Sequence, residues 1–138
     1  NNMKKMRYLN ENFISEVKDI RELYKNFMNQ LYKNKFSAKD IKEWFKVMSE
    51  RTQNFDRFIH EKYKIKNSLI VSKHAEIQQE VTSMDDFNEQ YSKSAVCFSN
   101  SAKNDILRLH SELNCALTQR VIDINESKKR RNRTRKNK

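Results

Sequence analysis

The chain contains neither glycine nor proline in 138 residues, and this double absence restricts its possible folds more than any other feature. Glycine adopts positive φ at no steric cost, and proline interrupts helices. A chain without either residue favours long, uninterrupted helices. The absence of glycine also excludes enzymes that rely on glycine-rich phosphate loops, dinucleotide-binding loops or nucleophile elbows.

Apolar residues recur at steps of three and four in four parts of the chain, which predicts four amphipathic helices. The first runs from about Lys4 to Lys33, the second follows a tight turn at 34–36, and the fourth spans about Ala102–Asn125. The predicted core positions are, in chain order, Met6, Leu9, Phe13, Val17, Ile20, Tyr24, Phe27 and Leu31; Ile41, Trp44, Phe45, Met48, Phe55, Phe58, Ile59 and Tyr63; Ala75, Ile77, Val81, Met84, Phe87 and Tyr91; Ile106, Leu109, Leu113, Leu117, Val121 and Ile124.

Polar residues mark the helix boundaries. Ser37 with Asp40 three residues later resembles a capping box with a shorter acid, and Ser72 is the predicted cap of the third helix. Four serines at 92–101 predict a break before the fourth helix. No alternation typical of a strand occurs. The sequence therefore predicts an all-α fold, an antiparallel up-down bundle of four main helices, or five, over residues 1–127, with a basic tail at 128–138 that is extended or a frayed helix end.

The two cysteines, Cys97 and Cys115, are expected to be buried, unpaired thiols. If the chain turns near Asn100, Cys115 lies roughly 22 Å up the following helix at 1.5 Å per residue. A disulfide needs Cα atoms within about 7 Å, so we expect no bridge within one chain.

The net charge of +11 is distributed unevenly along the chain. Residues 1–75 carry 17 basic and 9 acidic side chains, residues 76–127 carry 4 and 9, and residues 128–138 carry 8 and 0. The cationic surface is thus expected on the first two helices and on the tail, which favours an anionic partner.

Two groups of basic residues are the predicted anion-binding or membrane-binding sites. Along the second helix the steps are four, three and four, so one ridge of ammonium groups is expected; the tail has no acid to neutralise it. An ordinary solvated face, with lysines paired to Glu43 or Glu50, is the alternative for the ridge. The residues concerned are Lys35, Lys39, Lys42 and Lys46 on the ridge, and Lys128, Lys129, Arg130, Arg131, Arg133, Arg135, Lys136 and Lys138 in the tail.

The side chains that could support catalysis are not arranged for it in the sequence. His60, His74 and His110 share no metal-binding spacing, and the adjacent Asp85 and Asp86 point in different directions on a helix. We therefore expect no metal, no cofactor and no enzymatic activity. No apolar run is long enough to span a membrane.

The middle of the chain resembles the abalone sperm lysin family. The resemblance covers roughly residues 37–90, a basic, aromatic helix followed by the start of the next one. Its members are Ser37, Lys42, Trp44, Phe45, Val47, Arg51, Phe58, Ile59, Lys62 and Ile65, then Ala75, Glu76, Ile77, Val81 and Phe87. The two cysteines, the absence of glycine and proline, and a less basic body depart from lysin and are more similar to its divergent, fusion-promoting acrosomal branch.

The resemblance implies a secreted, non-enzymatic fertilization protein of the sperm acrosomal vesicle that binds and perturbs the egg membrane or the egg-coat glycoprotein. It assigns no role to any single residue. Two alternatives stay open: an intracellular adaptor or nucleic-acid-binding subunit with a nuclear-type tail, and a helical cytokine with a glycan-binding tail. Residues 1–7 contain no apolar signal segment, so a signal peptide preceding Asn1 would separate these classes. A monomer and a homodimer are equally compatible with the sequence.

Overall fold

The computed structural model describes residues 2–66 and 68–136, and the side chains of 3–66 and 68–127. In this part of the chain every regular element is helical, which confirms the predicted all-α fold. The helices are α1 (Asn2–Tyr32), α2 (Ala38–Tyr63), α3 (Leu69–Ser83), α4 (Asp85–Asn88) and α5 (Asn100–Lys136).

Four of the helices form an antiparallel bundle around one core. α3 packs against α2 on one side and α5 on the other, and α1 packs against both α2 and α5. Short turns join α1 to α2 and α2 to α3, so these neighbours run in opposite directions. Val96 N–H donates to the Phe36 carbonyl at 2.8 Å, which places the segment preceding α5 beside the α1–α2 turn. α5 therefore begins at the same end of the bundle as α2.

The turns use left-handed residues other than glycine. Asn34, in the predicted turn at 34–36, has φ 57°, and Lys64, at the end of α2, also has φ 57°. The predicted capping box is confirmed: the Ser37 hydroxyl accepts from Asp40 N–H at 3.2 Å, and the Asp40 carboxylate accepts from Ser37 N–H at 3.3 Å. Chemistry local to the turn therefore fixes where α2 begins.

The buried residues follow most of the predicted stripes. Val17, Ile20, Tyr24, Phe27 and Leu31 of α1 and five of the six stripe positions of α5 are buried; Val121 is half-buried. In all, the buried apolar side chains are Val17, Ile20, Tyr24, Phe27, Met28, Leu31, Ala38, Ile41, Phe45, Met48, Phe55, Ile59, Ile70, Ile77, Val81, Phe87, Val96, Phe98, Ala102, Ile106, Leu109, Leu113, Ala116, Leu117 and Ile124.

Phe58 and Ala75, two predicted core positions, are exposed. Phe58 is 48% exposed, since the buried face of α2 passes through Phe55 and Ile59. The same face includes the polar Thr52, whose hydroxyl donates to the Ser49 carbonyl at 3.1 Å. Ala75 is exposed, since the buried face of α3 passes through His74. The spacing of apolar residues cannot predict a buried polar residue whose hydrogen-bond partner lies in its own helix or in the core.

The third helix begins at another residue than predicted, and its buried stripe is shorter. Its cap is Ser68, which accepts from Ile70 N–H at 3.2 Å, and not Ser72. Ile70 is completely buried, so the core requires the helix to start earlier. At Met84 the backbone becomes extended, with ψ 143°, and the stripe does not continue to Tyr91, which is 39% exposed.

The last helix starts after the predicted break and is longer than expected. Ser99 caps it by accepting from Ala102 N–H at 3.2 Å, and the helical backbone continues past Asn125 to Lys136. The predicted tail at 128–138 lies outside the residues whose side chains are described.

Both cysteines are unpaired, as predicted, but the expectation that they are buried is wrong. Cys97 and Cys115 are exposed. Cys97 lies between the buried Val96 and Phe98 in an extended segment, where alternate side chains point to opposite sides. Cys115 likewise lies on the outer face of α5, between the core positions Leu113 and Leu117.

Candidate functional site

The predicted lysine ridge is present on α2, but it has three members. Lys39, Lys42 and Lys46 are exposed and lie on one side of the helix, spread over about 10 Å along its axis at 1.5 Å per residue. Lys35 does not belong to the ridge, because α2 begins after the cap at Ser37 and Lys35 lies in the preceding turn.

The three lysines line a groove of about 610 Å³ that lies between α2 and the segment α3–α4. Glu43 shares their wall. The opposite wall consists of polar side chains at the end of α3 and two aromatic residues beyond it, and its members are Gln78, Thr82, Phe87, Asn88 and Tyr91. The sequence did not predict this wall, since Phe87 and Tyr91 were assigned to a continuous core stripe.

Local hydrogen bonds hold the far wall in place. The side-chain amide of Asn88 donates to the carbonyls of Thr82 at 3.0 Å and Met84 at 3.1 Å, which closes the bend between α3 and α4. Phe87 is buried, and Tyr91 packs edge-on against it with ring centres 5.8 Å apart. The bend thus carries Tyr91 out of the core and to the rim of the groove.

A cation–π contact joins the two walls. Lys42 Nζ lies 5.4 Å from the centre of the Tyr91 ring, within the distance at which a cation is attracted to an aromatic face. The contact orients one ammonium group across the groove instead of leaving it extended into solvent.

The ridge lysines form no ion pairs among the described side chains. The pairs within 4.0 Å lie elsewhere, as in Arg51 with Glu16 at 2.7 Å and Lys73 with Glu112 at 3.2 Å. The pairing of the ridge to Glu43 or Glu50, the alternative considered from the sequence, does not occur within this distance. Glu43 lines the groove, yet no carboxylate lies within 4.0 Å of the three ammonium groups among the described side chains, so the groove keeps a net positive charge.

Hydrogen bonds between side chains and backbone groups hold the segment between α4 and α5 in place. Gln90 makes two hydrogen bonds of 2.9 Å with the backbone of Cys97, and the Asp86 carboxylate accepts from Ser99 N–H at 2.6 Å. This bond to Ser99 lowers the pKa of Asp86, which therefore stays ionised. Asp85 and Asp86 thus form no acid–base pair, and Asp86 has a structural role.

Two of the three histidines, His74 and His110, lie against the ring of Tyr24. His74 is buried; its Nε2 donates to the Phe45 carbonyl at 3.1 Å, and its Nδ1 accepts from the Tyr24 hydroxyl. His110 stacks on Tyr24, with ring centres 6.2 Å apart. His60 is exposed on α2. Within the described side chains, no group of three or more His, Cys, Asp and Glu residues is placed to hold a metal ion.

The remaining site residues predicted from the sequence, those of the tail at 128–138, lie beyond the described side chains. In the part of the chain that the structure describes, no helix is sufficiently long and apolar to cross a bilayer.

Comparison of the chain with protein-family models, with curated proteins and with solved structures finds no match. The resemblance of residues 37–90 to sperm lysins therefore stays a prediction.

Proposed function

We propose that this protein is a secreted fertilization protein of the sperm acrosomal vesicle that acts without catalysis, by binding and perturbing the egg membrane or the egg coat. The fertilization role rests on the resemblance of residues 37–90 to sperm lysins, and the observation that supports an anionic partner is the row of exposed lysines, Lys39, Lys42 and Lys46, which have no carboxylate within 4.0 Å among the described side chains. Unneutralised charges keep their attraction for an anionic partner.

Exposed apolar residues on another side of α2 support contact with a membrane surface. Val47 and Phe58 are 54% and 48% exposed on α2, and eleven residues of helix bring them to one face. The Arg57 guanidinium lies 5.9 Å from the centre of the Phe58 ring. An apolar face flanked by basic side chains is the pattern of helices that lie in the headgroup region.

The membrane form of the proposal is tested with vesicles. The full chain is expected to sediment with vesicles containing phosphatidylserine, to cause dye leakage and lipid mixing, and to bind far less to vesicles of phosphatidylcholine alone. Raising the salt from about 0.1 M to 1 M shortens the screening length from about 10 Å to 3 Å and should release the protein. Absence of binding and leakage on anionic vesicles at micromolar protein would contradict the membrane form.

The egg-coat form differs in its stoichiometry. Isolated egg coats are expected to loosen in proportion to the protein added, because each protein molecule stays bound to one site and does not act again. Dissolution that continues after a small amount of protein has been added, with release of cleaved fragments, would show turnover and overturn the non-enzymatic proposal.

The alternative is an intracellular nucleic-acid-binding protein, which the eight basic residues at 128–138 favour. Binding through phosphates predicts a linear fall of log affinity for duplex DNA with log salt, at a slope of roughly −0.9 per phosphate contact. A steep slope, abolished by deletion of 128–138, together with no binding to vesicles or egg coats, would favour the alternative over the main proposal.

A further inference from the structure

The groove contains more kinds of hydrogen-bonding group than a site for phosphate alone requires. Its α2 wall combines three ammonium groups with the carboxylate of Glu43, and the other wall presents the side-chain amide of Gln78 and the side-chain carbonyl of Asn88, whose NH2 group donates to the backbone. Ammonium groups bind anions, whereas a carboxylate accepts hydrogen bonds and repels anions. A ligand that matches both carries negative charges and hydroxyl groups together.

We infer that the groove between α2 and α3–α4 binds an acidic saccharide, with sulfate or carboxylate groups on the lysines and sugar hydroxyls on Glu43, Gln78 and Asn88. The inference rests on the proposed function, since it names the chemistry of the anionic partner at the egg surface.

The positions of the lysines suit a ligand with separated charges. Lys39, Lys42 and Lys46 are spread over about 10 Å of helix, so they reach anionic groups on successive sugars and not a single anion. Lys42 is held across the groove by the Tyr91 ring, 5.4 Å from its ammonium group. The ring is 39% exposed, and its exposed part offers an apolar surface to the C–H face of a sugar.

The shape of the site favours a saccharide over a membrane or a duplex. A volume of about 610 Å³ lies in the range of sites for small ligands, roughly 300–1,000 Å³. The groove is concave, so a flat bilayer contacts the lysines at its rim and leaves the far wall without a ligand. A nucleic acid duplex would contact only the rim of the groove, and its phosphates would be repelled by the Glu43 carboxylate.

The test measures binding of a heparin-derived hexasaccharide to the full chain by isothermal titration calorimetry, with a hexasaccharide of N-acetylglucosamine, which carries no charge, as the neutral probe. The groove variant replaces Lys39, Lys42 and Lys46 by glutamine. The control variant carries Lys18→Gln, Lys25→Gln and Lys33→Gln, three exposed positions outside the groove lining. Both variants lose three positive charges, and circular dichroism verifies that both are folded.

We expect the groove variant to bind the sulfated probe roughly ten- to a hundredfold more weakly, since each exposed charge pair contributes modestly. The control variant should lose no more than a few-fold. Equal losses in the two variants would show that net charge alone attracts the probe, and would overturn the inference.

Glu43→Ala and Tyr91→Ala provide a second test, because the first raises the net positive charge. We expect both to weaken binding of the sulfated probe by a few-fold. Tighter binding by Glu43→Ala would mean that the carboxylate only repels the ligand, and would also overturn the inference.

The same proteins, assayed on phosphatidylserine vesicles and egg coats, separate this inference from the proposed function. Binding to either surface with no binding of the sulfated probe leaves the proposed function in place and overturns the saccharide site. Loss of binding to both surfaces as well overturns the two together.

Discussion

Tyr24, His74 and His110 place titratable groups in the middle of the bundle. His74 is completely enclosed, with one ring nitrogen bound to the Phe45 carbonyl and the other to Tyr24. His110 Nε2 is buried with no hydrogen-bond partner among the described residues. Burial lowers the pKa of both histidines and raises that of the Tyr24 hydroxyl, so all three are neutral at pH 7.

The bundle is therefore expected to lose stability in mild acid. In the unfolded chain the histidines titrate near 6.5, whereas in the folded chain they take up protons only at lower pH. Below about pH 6.5 the unfolded state binds more protons, so the free energy of unfolding falls as the pH falls. Urea unfolding followed by circular dichroism at pH 7.5, 6.5 and 5.5 measures this decrease.

His110→Leu separates the contribution of one histidine. The substitution removes a titrating ring and an unsatisfied buried nitrogen, so at pH 7.5 it should be tolerated, and the decrease toward pH 5.5 should be smaller. His60→Gln on the exposed surface of α2 is the control and should leave the decrease unchanged. An undiminished acid loss in His110→Leu would contradict this account.

Phe55 and Phe58 give a matched pair of residues in one helix. Phe55 is 3% exposed and packs edge-on against Phe13 at 6.2 Å, whereas Phe58 is 48% exposed. Phe55→Ala should lower the free energy of unfolding by about 3–5 kcal/mol, and Phe58→Ala by less than about 1 kcal/mol. Similar losses in chemical denaturation of the two variants would mean that the face of α2 is assigned wrongly.

At the scale of the helices, the absence of glycine has a consequence at the end of α2. Lys64 has φ 57° and donates its backbone N–H to the His60 carbonyl at 2.9 Å, a position that glycine most often occupies. Lys64→Gly should raise the free energy of unfolding by about 0.5–1 kcal/mol, because glycine has no Cβ to strain. Lys64→Ala, which removes the same charge but keeps the Cβ, is the control and should show no such gain in thermal unfolding.

The sequence was sufficient to predict a helix boundary or a buried face where that feature depends on residues close to it in the chain. Ser37 and Asp40 cap α2 by hydrogen bonds between their own side chains and backbone N–H groups. The buried face of α5 follows from its regular apolar spacing, whichever helices pack on it. It was insufficient at α3, where burial of Ile70 and His74 by other helices determines the first turn and the inner face. The bend at Met84 was missed for a similar reason: the apolar spacing continues through Phe87 although the backbone does not.

At the scale of the whole molecule, the two exposed thiols favour links between molecules. Cys115 lies in α5 about fifteen residues beyond the segment that holds Cys97, or roughly 22 Å at 1.5 Å per residue. Mild oxidation is therefore expected to yield disulfide-linked dimers, and not a bridge within the chain of 16.7 kDa. Intact-mass measurement without reductant tests this, and Cys97→Ser with Cys115→Ser should remove the dimers. An oxidised monomer two mass units lighter would contradict it.

The candidate site became visible only when the helices were brought together. The spacing of Lys39, Lys42 and Lys46 predicted one wall, since those residues share a helix. The opposite wall depends on a bend closed by Asn88 and on the packing of α3 against α2, and neither has a periodic signature. Tyr91 is the clearest case, because its spacing from Phe87 suggested a core residue.

The part of the far wall beyond α3 is held mainly by hydrogen bonds that do not belong to the packing of the bundle core. Beyond α3, Asn88, Gln90 and Asp86 fasten the wall through hydrogen bonds to backbone at Thr82, Met84, Cys97 and Ser99, and Phe87 anchors it in the core. Substitutions at Tyr91 or at its exposed neighbours can therefore alter the shape of this edge while the packing of the long helices stays intact.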